Sequence, residues 1–534
     1  MVIPVLIGAR ERIEKLGKVS LSELAKSHAI LLVIALGTAI AAALRYLHSA
    51  RRLLPPGPPG LPLIGNALQL KEGQWLLFSR WRKTYGDIFY LNAAGQPIVV
   101  INHHSIAVDL LDRRAGKYAD RPPNIVGWEY MTGGLFFAFG RYNDVWRRMR
   151  KASHEAVNKV VAHGVDEYLL SDALALARDG LRDASAWDDY LHRASASSML
   201  SCLYGEPPLE SANDNRISYI NDFVEHMTRA IAPGAYWVEM MPLLRYIPSA
   251  LAAWKRYATK LNEEANAEFL RMFDRARDNV TSSEEDRTFC STLVQQATRY
   301  GLNSQENAWC AATMFAAGAH TNAAVMSWWT LAMLAYPETQ LRAQRELDAV
   351  VGRARVPTFA DMPQLPYVCA MVKEALRWGP VVPLGLPHRC MEDDYYNGLY
   401  IPKGAVVLAN VWEMNREPEL FGPNTKHFDP ARYLDDKGRL LVDPPGARED
   451  GHFTFGFGRR ICVGKHVAYN SLFIEIAISL WACSLSNVDG QILDVDAFRD
   501  EGIVIRPVPF KVDVKPRFSE AFSLLTEECE LRSR

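Results

Sequence analysis

Cys462 stands in the loop Phe455-Gly-Phe-Gly-Arg-Arg-Ile-Cys-Val-Gly464, where one thiol shares ten residues with three glycines and two arginines. Gly456, Gly458 and Gly464 let the backbone turn tightly and approach a large flat group. The run that follows, Lys465-His-Val-Ala-Tyr-Asn-Ser-Leu-Phe-Ile-Glu-Ile-Ala, is helical in character and puts Cys462 near a helix N-terminus. Backbone N–H groups and the helix dipole favour a thiolate there. Three chemistries fit such a residue. It can be a buried structural cysteine. It can be a nucleophile, which needs a base that the loop does not supply. Or it can be an axial ligand to porphyrin iron, for which one soft thiolate is enough.

Four other constellations could work with it. Trp146 and Arg150 are four apart on a predicted helix and so share a face. An indole N–H and a guanidinium placed that way can bond one carboxylate; the alternative is a solvated amphipathic face. In Ala317-Gly-Ala-His-Thr-Asn322, the small residues Ala317 and Gly318 admit a flat group, and Gly318 can weaken the helix ladder. The Thr321 hydroxyl would then point into the gap, or it bonds back to its own helix. Glu374 and Arg377 are three apart on one helical face, and Arg432 lies in Phe428-Asp-Pro-Ala-Arg-Tyr433. His388 ends the apolar stretch Val381-Val-Pro-Leu-Gly-Leu-Pro-His388, read as a strand.

Long elements must bring these groups together. Asn303 or Ser304 caps a helix that runs to Tyr336-Pro337. Roughly 30 residues at 1.5 Å each cross about 45 Å, the width of a domain. Residues 365–378 form a second helix, stopped by Gly379-Pro380, and 154–300 are mostly helical, with breaks near Pro207, Pro233 and Pro248. Residues 88–92 and 97–102 read as a hairpin around Ala93-Ala-Gly-Gln96. Ser105 to Arg114 is expected to be a short helix. Residues 236–244 are apolar and either pack on a membrane or roof a pocket.

The 534 residues are 49% hydrophobic and 23% charged, a globular balance with ample core. A net charge of −1 gives no bulk attraction for nucleic acid. Eight scattered cysteines with no C-x-x-C pair argue against structural zinc and against a disulfide framework. Residues 29–44 carry no charge, and 28–47 reach the length of a bilayer span if Arg45 snorkels. Basic residues flank this run on both sides, so charge does not set its orientation. The Pro-rich stretch 54–66 is expected to be a stiff spacer. The expected organisation is therefore a lead segment (1–28), a membrane anchor (29–47), a basic and Pro-rich hinge (48–66), a catalytic domain (67–517) and an acidic, mixed C-terminal tail (518–534).

The pattern F-x-x-G-x-R-x-C-x-G at 455–464 resembles the proximal loop of the cytochrome P-450 haem-thiolate family. A-G-x-x-T at 317–321 is similar to that family's oxygen-binding groove, E-x-x-R at 374–377 and P-x-R-Y at 430–433 to its buried charge network, and W-x-x-x-R at 146–150 to a propionate-binding face. The motifs occur in the family's order over residues 54–517. The resemblance implies a mainly α fold with a smaller β region, the haem-thiolate prism. It implies haem b, with iron ligated by Cys462, and cofactor contacts from Trp146, Arg150, Ala317, Gly318, His388, Phe455, Arg460 and Gly464. Thr321 would serve distal proton delivery. His320 stands where an acid is common in the family and Asn322 where Thr or Ser is common, so imidazole would have to replace a carboxyl as proton relay.

The implied activity is insertion of one oxygen atom from dioxygen into an apolar small molecule such as a terpenoid, polyketide or aromatic compound, in secondary metabolism or detoxification of the fungal type. Only 70 residues follow Gly464, too few for a flavin domain. Electrons would come from NADPH through a separate cytochrome P-450 reductase, with cytochrome b5 as a further donor. Arg148, Lys151, Arg459 and Lys465 are candidate docking charges. The implied setting is the endoplasmic reticulum membrane with a cytosolic catalytic domain. Two alternatives stay open: an isomerase or dehydratase of the same fold, and a haem-binding sensor without turnover.

Overall fold

The computed structural model describes residues 28, 31–33, 36–37, 49–163, 166–232, 234–279, 288–441 and 450–532. Most of the expected anchor at 29–47 lies outside them. Among the described residues no helix is long and apolar enough to cross a membrane.

The chain divides into two units. The smaller comprises Met1–Pro55 and Asp393–Pro402. Its described part holds a single 3-10 turn at Ala50–Leu53, capped by the Ser49 hydroxyl, and a hairpin pairing Asp394–Tyr396 with Leu399–Ile401. The hairpin turns on Asn397 and Gly398, both at positive φ, which matches the twist of two paired strands.

The larger unit, Pro56–Glu392 and Lys403–Arg534, carries all the candidate chemistry. Helix α1 spans Gln74–Tyr85. Strands β1 (Ile88–Ala93) and β2 (Gln96–Ile101) form the expected hairpin, with Ile88 opposite Ile101. Residues 56–66 are not a free spacer: the Tyr90 N–H donates to the Pro56 carbonyl, and the Asn92 N–H donates to Asn66 Oδ1 at 2.9 Å. Prolines lack the donors for a strand, so Asn66 and the Pro56 carbonyl carry this docking. The expected helix at 105–114 is one α-turn, His104–Ala107, followed by a π-turn, Val108–Arg113.

Helices α2 (Asp144–His163), α3 (Asp166–Arg182), α4 (Trp187–Tyr204), α5 (Asn215–Ile231) and α6 (Ala253–Asp278) follow. The longest is α7, Ser304–Ala335, with 32 residues. Asn303 caps it through the Glu306 N–H, and the Glu306 carboxylate returns a bond to the Asn303 N–H, a reciprocal capping box. It ends at Tyr336 because Pro337 begins α8, Pro337–Val350. It is apolar all round, as a helix crossing a core must be, and Trp309, Trp328 and Trp329 are fully buried on it. It packs along α4.

Helix α9 spans Pro366–Trp378. The stretch 381–389 is not a strand: only His388–Arg389 (β3) pairs, antiparallel to β4 (Val406–Ala409), which lies parallel to β2. Pro383 and Pro387 cannot donate to a ladder, and the residues before β3 turn along the cavity wall instead. The four strands order β1-β2-β4-β3. Helix α10, Lys465–Ala482, follows the cysteine loop and packs on α3. Strand β5 (Cys483–Asn487) pairs with β8 (Val512–Pro516), and β6 (Phe498–Asp500) with β7 (Ile505–Pro507). The region read as an acidic, mixed tail forms helix α11, Ala521–Arg532, which seats Ala521 and Leu525 in the core against α3.

Candidate functional site

Cys462 sits on a turn, not on the helix that follows. Its N–H donates to the Phe455 carbonyl at 2.9 Å, closing the loop. Gly458 lies at φ +54, where a Cβ would stand 2.0 Å from the Leu111 carbonyl oxygen, and its N–H donates to Asp112 Oδ1 at 2.6 Å. From the other side, the Phe453 N–H donates to Asn415 Oδ1 at 2.9 Å, and the Thr454 hydroxyl donates to the Leu376 carbonyl at the end of α9 at 2.7 Å. Asp112, Asn415 and Thr454 went unread in the sequence, where nothing local marks them. Gly458→Ala is expected to destabilise the protein by about 1–3 kcal/mol, the cost of a strained non-glycine backbone, with the clash added. Urea unfolding would measure it, and a loss below about 0.5 kcal/mol, the range of an unstrained surface change, would show that the loop relaxes freely.

The loop opens on a cavity of about 320 Å³. Its walls are mostly apolar: Phe136 and Phe137 from the aromatic loop, Ala316 and Ala317 from α7, Val381 and Val382 beyond α9, and Ile503 and Val504 between β6 and β7. Cys462 is exposed to this cavity. Burial pushes its thiol up, and the Gly464 N–H, Arg150 and Lys465 only partly oppose this. The helix terminus alone therefore does not make a thiolate here. A metal cation bound at the sulfur would favour the thiolate over the thiol.

One end of the cavity is cationic. Arg121, Arg150 and Arg460 line it, and among the described residues each donates to backbone carbonyls only: Arg121 to Ala138, Leu386 and Pro387, Arg150 to Ile461, Arg460 to Ala119 and Gly140. The nearby carboxylate, Asp120, is engaged by Arg141 and Arg389. Burial, then repulsion among these groups, disfavours the charge on Arg121 and Arg460. Guanidinium keeps its proton even so, and Arg460 Nη1 is buried without a partner. Two buried cations and the half-buried Arg150, facing one apolar cavity, fit a ligand with a broad apolar body and a dianionic edge. Haem, with its two propionates, is such a ligand, and the single thiol of Cys462, next to the carbonyl that Arg150 holds, completes the donor set. Arg121 was missed in the sequence, although a charged residue between Asp120 and Pro122 in an aromatic loop was a usable signal.

Several expected contacts take another form. The Trp146 indole N–H donates to the Phe137 carbonyl at 3.0 Å, and its ring stacks under the Arg460 guanidinium at 3.8 Å. It therefore orients Arg460 and has no donor left for a carboxylate, because the 136–140 loop folds over the first turn of α2. Arg150 reaches the carbonyl beside Cys462. His388 donates from Nδ1 to the Tyr118 carbonyl at 2.9 Å, and burial, with Arg121 and Arg460 nearby, pushes it down to about 3. It is neutral and would meet an anion only by gaining a second proton. Gly318 faces α4: a Cβ there would lie 2.1 Å from Met199 Sδ, so this glycine serves helix packing as well as the cavity wall. Helix α7 runs unbroken through it, and the Thr321 hydroxyl donates to the Ala317 carbonyl at 2.8 Å. His320 also lines the cavity. Burial holds it down and neutral, and its Nε2 is buried with no partner. Phe455 and Gly464 flank Cys462 on the wall.

The charge network is complete. Glu374 and Arg377 are both fully buried; Arg377 donates to the Glu374 carboxylate at 2.6 and 2.7 Å, and Arg432 Nε donates to it at 3.0 Å. Arg377 also donates to the carbonyls of Asn415 and Thr425, each at 2.8 Å. Asn415 in turn holds Phe453 and Thr454, so the network reaches the cysteine loop by one residue.

The family model for Cytochrome P-450 matches residues 55–514. A cytochrome P-450 monooxygenase of Armillaria gallica is 52% identical over 492 residues, covering 91% of this chain and 94% of the relative. Cytochrome P-450 monooxygenase 58 of Postia placenta is 42% identical, covering 93% of this chain and 95% of its own. The monooxygenase iboC of Amanita muscaria is 35% identical, covering 94% and 97%. The thiol on its glycine-pinned loop, the cationic end of an apolar cavity and the small-residue face of a 32-residue helix coincide with this match over most of the chain, and the protein belongs to the cytochrome P-450 family of haem-thiolate monooxygenases.

Proposed function

We propose that this enzyme inserts one oxygen atom into an apolar small molecule of the terpenoid, polyketide or aromatic kind, in secondary metabolism or detoxification. The observation that carries the substrate class is the cavity wall: beyond the arginines it is mostly Phe, Val, Ala, Leu, Ile and Met side chains with a minority of Ser, Thr, Asn and His, which favours an apolar guest and leaves few groups to orient a polar one. Haem, when bound through Cys462, supplies the oxidising chemistry. The chain's own residues do the rest. Arg121, Arg150 and Arg460 hold the anionic edge, Trp146 fixes Arg460, and Phe455 and Gly464 keep water from the sulfur. Ala317 leaves room for a flat group, and Thr321 presents its hydroxyl at the cavity face. Purified protein, reduced and treated with carbon monoxide, should show the red-shifted Soret band of a thiolate-ligated haem. Titration with a panel of such compounds should shift the oxidised spectrum. Exclusive response to charged compounds would overturn the substrate class.

The membrane setting is part of the same proposal. The uncharged run 29–44 supports it from the sequence. In the larger unit Trp237, Leu243, Tyr246 and Leu251 are 73–80% exposed, an apolar surface suited to a lipid interface. NADPH would act through a reductase, with cytochrome b5 as a second donor, docking on basic charge near the cysteine loop. Arg148 pairs with Glu306 and Lys465 with Asp450, which leaves Lys151 and Arg459 as the exposed charges. Joint Lys151→Glu and Arg459→Glu substitution is expected to slow reduction by the reductase at low salt and to flatten its salt dependence. Stopped-flow reduction measures both, and unchanged rates would remove these residues from the docking face.

A further inference from the structure

His320 occupies the position beside Thr321, yet burial lowers its imidazole pKa and its Nε2 has no hydrogen-bond partner. A neutral imidazole accepts a proton more readily than it supplies one. A different acid lies on the neighbouring helix. Glu475 on α10 is 2% exposed and has no cation paired with it among the described residues. The Ser471 hydroxyl donates to its Oε1 at 2.8 Å, and Asn322 Nδ2 donates to its two oxygens at 3.0 and 3.2 Å. Asn322 also reaches the Ser471 hydroxyl at 3.1 Å. Ser471, Asn322 and Thr321 all lie on the wall of the same cavity.

Behind Glu475 the packing is polar where alkyl groups would be expected. Asp172 on α3 is buried and accepts from the Ser198 hydroxyl of α4 at 2.9 Å. Ser195, Ser197, Ser198 and Ser201 of α4 are all buried, and the hydroxyls of Ser195, Ser201 and Ser479 have no protein partner. Small serines ease the approach of α4 to α7, which is a packing role. Packing does not explain a buried carboxyl with no counter-charge, because burying such a group is costly and an apolar residue would serve better.

We propose that Glu475 is a buried proton reservoir that supplies the Thr321 face of the cavity through Ser471, with Asn322 holding the pair in register and the serine-lined seam to Asp172 as its route of recharge. In the step, the Ser471 hydroxyl turns from Glu475 to the cavity and gives its proton to a basic atom bound at the Thr321 face, while Ser471 Oγ takes the Glu475 proton as that O–H bond breaks. Glu475 is left as carboxylate and is reprotonated from the Asp172 side, so no oxidant or reductant is involved. The proposal rests on the monooxygenase reading, whose oxygen chemistry consumes protons.

The charge environment agrees. Burial raises Glu475 to about 8, with Asp172 repelling and with Ser471 and Asn322 opposing. Burial raises Asp172 to about 7, while Ser197, Ser198 and Arg193 oppose it. Glu475 therefore carries its proton at neutral pH. The folded state binds more protons than the unfolded one between the ordinary carboxylate range and about 8, so this group makes stability fall as pH rises through that window.

Infrared titration of the haem-loaded protein from about pH 5 to about pH 10, a range spanning ordinary and strongly raised carboxyls, is the direct test. Wild type should show a protonated-carboxyl band that fades near the upper end and is missing in Glu475→Gln. The melting temperature of Glu475→Gln relative to wild type should climb as pH rises. With NADPH and a reductase, oxygen consumption in Glu475→Gln and in Ser471→Ala should fall at least about tenfold, the low side of what a positioned proton donor contributes. The variant pH profiles should lose the limb seen in wild type, and the solvent isotope effect should change. An absent band, a band unaffected by Glu475→Gln, or unchanged profiles in both variants would overturn the proposal. Loss of the red-shifted carbon monoxide band in wild type would instead overturn the haem-thiolate reading, and this proposal with it.

Discussion

Cys462→Ser is expected to leave a folded protein whose reduced, carbon monoxide-treated form no longer shows the red-shifted Soret band. The loop is held by groups other than the sulfur: the residue 462 N–H on Phe455, the Gly458 N–H on Asp112, and Thr454 on Leu376. Serine keeps the backbone donor and is close in size, so stability should change by no more than about 1 kcal/mol. What changes is the ligand. A hydroxyl is a harder donor that does not push electron density as thiolate does. NADPH-driven oxygen consumption should fall by more than about a hundredfold, the scale seen when a group that stabilises developing charge is removed. Circular dichroism and urea unfolding separate this from misfolding. Persistence of the red-shifted band in the variant would show that another residue binds the iron, and the assignment of Cys462 would fail.

Glu374→Ala should do the reverse, destroying the fold's support for the site without touching the site. Glu374 and Arg377 are both 0% exposed, and Glu374 also takes Arg432 and the Asp429 N–H. Removing the carboxylate strands two guanidinium groups, one of them fully buried, with carbonyls as their only acceptors. Breaking a buried ion pair from one side costs about 3–5 kcal/mol, a large share of the roughly 5–15 kcal/mol by which a domain is stable. The consequence should reach the cysteine loop through Arg377, Asn415 and Thr454. The expected result is a low yield of haem-loaded protein and a urea midpoint well below wild type. A variant within about 1 kcal/mol of wild type, the size of an ordinary single change, would mean that water replaces the network at little cost.

These two substitutions divide the molecule as its sequence does. The cysteine loop was readable because its requirements are local: glycines at the turns, one thiol, a helix after it. The capped start of α7 at Asn303 and its stop before Pro337 were readable for the same reason, since capping and proline act within four residues. The β1–β2 hairpin showed in its two apolar runs and the Ala94-Gly95 turn between them. Glu374, Arg377 and Arg432 were legible as charges at fixed spacings, but their joint burial was not.

What stayed hidden depends on partners distant in the chain. Trp146 shares a helical face with Arg150, as its spacing says. Whether its N–H meets a carboxylate or the Phe137 carbonyl depends on how the 136–140 loop folds over α2. Gly318 reads as room for a flat ligand, while the packing of α4 makes it also the seat of Met199. Arg121 became a site residue only when residues 386 and 387 were brought to it across the fold. Glu475 looked like one more polar residue on a helix, and burial against Asn322 and Asp172 alone makes it an acid that keeps its proton. Short-range sterics and hydrogen bonding determined the elements and the ligand loop from the sequence by itself. Desolvation and long-range contact, which no local pattern records, decided in the tertiary structure which charges face the cavity and which protons they hold.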